Sequence, residues 1–303
     1  MANLETKLGA LSLKNPVMPA SGTYGYGDDV PEYVDTGQFG AMVTKSLTRL
    51  PREGNPPPRI VETTSGMINS IGLANIGVEA FIEDKLPLVR DKNFCLIVNI
   101  AGSKLEEYCE VLEMLDEQDG IDGYEINVSC PNVKEGGMEF GVSVPHLTKL
   151  IRALRERTER AIITKLSPNV TSIETMAQTA VDAGTDMISL VNTLVGSKID
   201  IETHQPRIST IFGGLSGPAI KPIAVAQVYK VYEVVGVPII GMGGIQNAAD
   251  VIEFMQAGAT AIEIGTMNYR DPATGINLLP ELTDWLDKHS FDNISDIIGI
   301  AHE

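Results

Sequence analysis

Cysteine is scarce in this chain of 303 residues: there are three, Cys95, Cys109 and Cys130, and no two are spaced as C-x-x-C. An odd, scattered set builds neither a disulfide framework nor an iron–sulfur cluster, so free thiols in a reducing compartment are expected. Histidine is equally sparse. His146, His204, His289 and His302 are too far apart for a metal-ligand motif, and no metal is expected. No stretch approaches the roughly 20 consecutive apolar residues needed to cross a bilayer. The start, Met1 to Pro16, lacks a basic stretch followed by an apolar run, so a cytoplasmic chain without a membrane anchor is expected. Positive charge is also in deficit, with 23 Lys plus Arg against 40 Asp plus Glu and a formal net charge of −17. That balance repels nucleic acid and anionic membranes while leaving room for a local basic pocket. Finally, the G-x-G-x-x-G fingerprint of an open dinucleotide-binding sheet is missing.

What is present is a repeated alternation of short Val/Ile-rich segments with amphipathic stretches, the pattern of βα units and a parallel sheet. Eight strands are expected at Val17–Ala20, Ala41–Thr44, Leu96–Ile100, Gly123–Val128, Ile162–Leu166, Met187–Val191, Pro238–Gly241 and Ala261–Ile264. Between them, Ser172 to Ala183 carries helix spacing with Ser172 as N-cap and Gly184 past the end, and Asp250 to Ala257 repeats the pattern before Gly258. Eight units favour an α/β fold closed as a (βα)8 TIM barrel, because closure removes both sheet edges. Residues 1–303 are read as one domain. The stretch from Asn3 to Lys14 alternates like a hairpin and is expected to plug the barrel bottom. Loop-rich insertions, Leu47 to Asn75 with four prolines and Ser197 to Gly214, are expected over the carboxyl-terminal face.

Reactive groups of such a barrel gather at the carboxyl ends of its strands. There, Gly243-Gly244 and Gly265-Thr266 end the seventh and eighth strands. Glycines let backbone N–H groups approach an anion, and phosphate sites recur at these two positions. Lys45 and Lys165 each end an apolar run; burying an ammonium is costly, so each needs a partner, either a neighbouring carboxylate or a bound anion. Two such lysines at one barrel end favour the bound anion. Asn69, Asn127 and Asn192, with Thr193, supply donors and acceptors able to read an imide or amide edge. Cys130 lies in the loop just after a strand, the position for a catalytic thiol, whereas Cys95 and Cys109 suit inert burial. A sugar-phosphate isomerase or aldolase would use the glycines equally well, but leaves the lysines and the Asn-x-Ser-Cys-Pro-Asn segment without a joint explanation.

These segments, together with Asn15-Pro16, Ala20-Ser21-Gly22, Arg52-Glu53-Gly54-Asn55-Pro56, Asn69-Ser70-Ile71-Gly72-Leu73, Lys165-Leu166-Ser167-Pro168 and Gly213 to Ala219, resemble the class 1 dihydroorotate dehydrogenases over nearly the whole chain. Within that class they are most similar to the NAD-linked class 1B catalytic subunit, with the fumarate-using class 1A as the alternative. The resemblance implies one FMN per chain, contacted by Ser21, Lys45, Ser46, Asn99, Asn127, Lys165, Val191, Gly217, Gly243, Gly244, Gly265 and Thr266. It implies that (S)-dihydroorotate meets Lys45, Asn69, Ser70, Ile71, Gly72, Leu73, Asn127, Asn132, Asn192 and Thr193. Cys130 would take the C5 proton while hydride leaves C6 for the flavin, and the glycine-containing segment Lys134 to Met138 would serve as a lid. Class 1B further implies a homodimer of this chain inside a heterotetramer, with FAD and a [2Fe–2S] cluster carried by the partner subunit that reduces NAD.

Overall fold

In the computed structural model, which describes residues 1–129 and 140–303, the Val/Ile-rich segments form eight parallel strands. They are β1 (Val17–Pro19), β2 (Ala41–Val43), β3 (Cys95–Ile100), β4 (Gly123–Asn127), β5 (Ala161–Lys165), β6 (Met187–Leu190), β7 (Ile239–Met242) and β8 (Ala261–Ile264). Each coincides with an expected strand to within one or two residues at either end. The ladder runs from β2 through β3, β4, β5, β6, β7 and β8 to β1. The remaining gap is bridged where the Gly40 N–H donates to the Val17 carbonyl at 3.0 Å. A Cβ at Gly40 would lie 1.9 Å from the Asn15 carbonyl oxygen, so only glycine lets the two end strands approach.

The period of two in these strands separates two cores. Leu96, Val98 and Ile100 of β3, with Ile162, Ile188 and Ile262 on neighbouring strands, join the main core that also holds the helices. Ile97, Ile163, Met187 and Ile240 belong instead to a separate apolar cluster with Met18, Val43 and Ala261, the lower filling of the barrel. Leu8 and Leu13 complete that cluster from the antiparallel hairpin Thr6–Leu8/Leu11–Leu13, so the expected plug closes the bottom.

Helices follow the strands where expected, with one boundary moved. Ser172 caps Ile173–Ala183, its side chain accepting from the Thr175 N–H, and Gly184 ends it. The helix expected over Asp250–Ala257 instead spans Ala248–Gln256, because Asn247 accepts from the Asp250 N–H and starts it two residues earlier.

The two insertions fold onto each other. Ile60–Thr63 and Gly66–Asn69 form a hairpin, and Gly213–Ser216 and Leu194–Gly196 extend it to a four-stranded antiparallel sheet. This sheet joins the segment after β2 to the segment after β6, over the same end of the barrel.

Candidate active site

Where the inward-facing positions pass from apolar to polar, the barrel stops being core and becomes a site. Two residues beyond Ile97, Gly123, Ile163, Met187 and Ala261 in their strands stand Asn99, Glu125, Lys165, Ser189 and Glu263. All five are buried, and they bond to one another. Lys165 Nζ donates to Glu125 Oε1 at 3.2 Å and to Glu263 Oε2 at 3.3 Å. Asn99 Nδ2 donates to Glu125 Oε1 at 2.5 Å and Ser189 Oγ to Glu125 Oε2 at 2.8 Å.

The carboxyls respond in opposite directions. Burial disfavours the Glu125 anion, but the Lys165 ammonium and hydrogen bonds from Glu263, Ser189 and Asn99 outweigh it and hold Glu125 below its ordinary value. Burial, reinforced by the negative charge of Glu125, pushes Glu263 well above the carboxylate range. Burial also opposes the Lys165 charge, yet the two carboxyls keep its pKa above the ordinary lysine value.

Above this layer opens a cavity of about 1040 Å³ between the strand ends and the antiparallel sheet. Among its walls are Ser21, Lys45, Ser46, Lys165 and Val191. Gly217, Gly243, Gly244, Gly265 and Thr266 form one side, and Asn69, Ile71, Leu73, Asn192 and Thr193 another. The structure therefore collects most of the expected site in one space. Asn99 is fully buried, its amide turned to Glu125, and lies outside the cavity lining. Asn127 likewise does not line the cavity; its side-chain oxygen accepts from the Ser129 N–H at 3.2 Å. Ser70 is held between Asn55 and Thr210, and Gly72 packs against Asn55, both behind the wall. Cys130 and Asn132, with the expected lid Lys134 to Met138, lie outside the described residues.

The glycine side of the cavity is shaped for close approach. Gly243 and Gly244 have φ of 128° and 80°, and a Cβ on Gly244 would sit 2.8 Å from the Gly217 carbonyl oxygen. Thr266 begins a 3-10 turn and donates to Ser216 Oγ at 2.7 Å, tying the β8 end to the overlying sheet.

The two lysines differ. Lys165 already has its carboxylates, so its burial does not call for a ligand. Lys45 is half-buried in the cavity wall, and among the described residues its ammonium has no hydrogen-bond or ion-pair partner. Asn192, in the same cavity wall, accepts from the Thr193 N–H on Oδ1 at 2.7 Å, and among the described residues its amide N–H groups have no acceptor. Asn69 Nδ2 donates to the Gly214 carbonyl at 3.4 Å, leaving its oxygen to accept. The pair thus offers one donor and one acceptor to the same space.

Sequence reasoning missed Glu125 and Glu263, although a charged residue alternating with Tyr124 and Ile126, or with Ile262 and Ile264, was the available signal. It also missed Arg270, a cavity-wall cation with no ion pair among the described residues.

The family model for dihydroorotate dehydrogenase matches residues 3–286. The chain belongs to this family. Among its relatives is the dihydroorotate dehydrogenase B (NAD(+)) catalytic subunit of Thermoanaerobacter sp. (strain X514), 48% identical over 297 residues, 98% of each chain. The protein of the same description from Bacteroides thetaiotaomicron is 46% identical over 299 residues, 99% of each chain. A solved structure, DHODH in complex with ferulenol from Eimeria tenella, shares the fold with a TM-score of 0.83 at 24% identity, covering 99% of this chain and 89% of that one. The expected barrel is thus the family's fold. No helix among the described residues is long and apolar enough to cross a membrane.

Proposed function

We propose that this chain is the catalytic subunit of an NAD-linked dihydroorotate dehydrogenase, oxidising (S)-dihydroorotate to orotate in pyrimidine synthesis with FMN held in the cavity over β7 and β8. The observation that carries this reading is that Lys45, without a side-chain partner among the described residues, shares one cavity with the Gly217–Gly243–Gly244 cradle. The cradle, where a Cβ on Gly217 or Gly244 would collide with backbone and one on Gly243 with the Ala224 side chain, suits a phosphate; the cavity is large enough for a ring system beside a second small ligand.

When bound, FMN supplies the acceptor for the hydride leaving C6 of the substrate. Gly243, Gly244, Gly265 and Thr266 would hold its phosphate, with Ser21, Ser46, Val191 and Gly217 along its length and Lys165 supplying positive charge from below. Asn99 and Asn127 would serve from behind the wall. Lys45 would attract the substrate carboxylate, while the donor of Asn192 and the acceptor of Asn69 match the carbonyl and N–H of an imide edge. Thr193 and the segment from Ser70 to Leu73 complete that side, with Asn132 following Cys130 in sequence. Cys130, three residues past the end of β4, would remove the proton from C5, so that proton and hydride leave adjacent carbons and a double bond forms.

Residues 1–303 would act as one FMN-binding barrel domain in the cytoplasm, as a homodimer within a heterotetramer whose other subunit carries FAD and a [2Fe–2S] cluster. Relatives named for NAD(+) favour this acceptor over fumarate. The test is to purify the chain alone and with a co-expressed electron-transfer subunit, record visible spectra, and assay dihydroorotate oxidation with NAD+ and with fumarate. Yellow protein that reduces NAD+ only with its partner is expected. A folded, colourless chain without affinity for FMN would overturn the proposal.

A further inference from the structure

The polar layer beneath the cavity contains two carboxyls and one ammonium, and no part of either carboxyl side chain reaches solvent. Ionising both would leave a buried negative charge uncompensated, which the interior resists by retaining a proton. The hydrogen bonds indicate where that proton rests. Glu125 receives Asn99, Ser189 and Lys165 on its two oxygens, a full set of donors for an anion. Glu263 accepts only from Lys165, on Oε2, and its remaining hydrogen bond is to Glu125, for which it must supply a proton; its Oε1, though buried, has no partner among the described residues.

We propose that Glu125 and Glu263 hold one proton between them, resting on Glu263, and so present Lys165 with a single counter-charge that positions its ammonium at the cavity floor. The two glutamates are positioning residues, acting through Lys165. A second ionised carboxylate would give the layer a net negative charge that opposes negative charge in the cavity, whereas a proton in its place keeps the layer neutral. The opposite displacements of the two carboxyls described above agree with this arrangement. The consequence for redox chemistry rests on the flavin reading; the protonation state does not.

Two measurements separate these. In protein labelled with carbon-13 at glutamate Cδ, the resonance that vanishes in Glu263→Gln is expected at the position of a neutral acid throughout the neutral range. This readout needs no flavin. A carboxylate position would overturn the proposal even if the protein is yellow and active. In the flavin-loaded enzyme, Glu125→Gln and Glu263→Gln are each expected to leave the flavin midpoint potential near that of the wild type, because either retains one carboxylate opposite Lys165. The double amide variant removes the last one and is expected to shift the potential by more than the sum of the single shifts. Single shifts of similar size that add in the double variant would mean two ionised carboxylates and would also overturn it. If the double variant fails to fold, the resonance and the two single variants still decide.

Discussion

Lys165 on β5 and Glu263 on β8 meet inside the barrel with Nζ 3.3 Å from Oε2, only 7% of the lysine side chain and none of the carboxyl being exposed. Cutting this contact from the lysine side strands Glu125 as a buried anion. Breaking one member of a buried pair costs about 3–5 kcal/mol, so Lys165→Met is expected to lower the unfolding free energy by about that much at pH 7. Glu125 sits below its ordinary value in the folded protein, so its stabilising contribution is present above the unfolded value of 4.5 and is lost as the pH falls through the folded one. The deficit of Lys165→Met should therefore shrink below that pH. Denaturant unfolding across pH checks both, and an unchanged free energy at pH 7 would show that the ion pair carries no stability.

Gly244 stands 2.8 Å, measured from an ideal Cβ, from the Gly217 carbonyl oxygen, at a φ of 80°. Gly244→Ala adds a left-handed penalty of about 1–2 kcal/mol and a backbone clash on the wall assigned to phosphate. With about 1.4 kcal/mol per tenfold, FMN affinity should fall about tenfold or more. Titration of the apoprotein with FMN reads this directly, and retention of wild-type affinity would move the phosphate away from the β7 turn.

Cys130→Ala should leave FMN bound while slowing flavin bleaching by dihydroorotate at least about a hundredfold, the ordinary worth of a positioned acid or base. Stopped-flow single turnover isolates the step from electron transfer to NAD+. A thiol titrates near pH 8.5 when unperturbed and a serine hydroxyl far higher, so Cys130→Ser should retain slow turnover that rises with pH. Bleaching at the wild-type rate in Cys130→Ala would remove the thiol from the chemistry.

The barrel was legible because its signal repeats: eight short apolar runs rich in Val and Ile, alternating with amphipathic stretches, indicate a closed sheet more firmly than any one run could. The place of Gly243, Gly244, Gly265 and Thr266 in the cavity wall was legible for a related reason, since the strand ends of this fold face its cavity. The polar layer was not read. Glu125 and Glu263 sit in strands of high apolar content, and pairing them with Lys165 depends on contacts 40 and 98 residues apart in sequence. Strand parity held the clue, because Glu125 is two residues before Asn127 and Glu263 two before Gly265, both already read as site residues at the strand ends. The hairpin Ile60–Thr63/Gly66–Asn69 was hidden in a proline-rich insertion because four-residue strands leave almost no period to detect.

That hidden pairing changes what the two lysines should do when removed. Lys45 has no partner among the described residues, so Lys45→Met strands no anion and sacrifices no structural bond. Its unfolding free energy should stay within about 0.5 kcal/mol of the wild type, as for a substitution away from any buried network. Its ligands should suffer instead: losing a charge-assisted contact worth about 1.5–3 kcal/mol raises the dissociation constant for orotate, the product anion, by roughly tenfold to a hundredfold. Lys165→Met is expected to show the larger loss of stability, Lys45→Met the larger loss of orotate affinity at intact stability. Calorimetric orotate titration beside denaturant unfolding compares the two variants on the same preparations. Equal losses of stability would mean that Lys45 is also paired in the folded protein, and unchanged orotate affinity would place the substrate carboxylate elsewhere in the cavity.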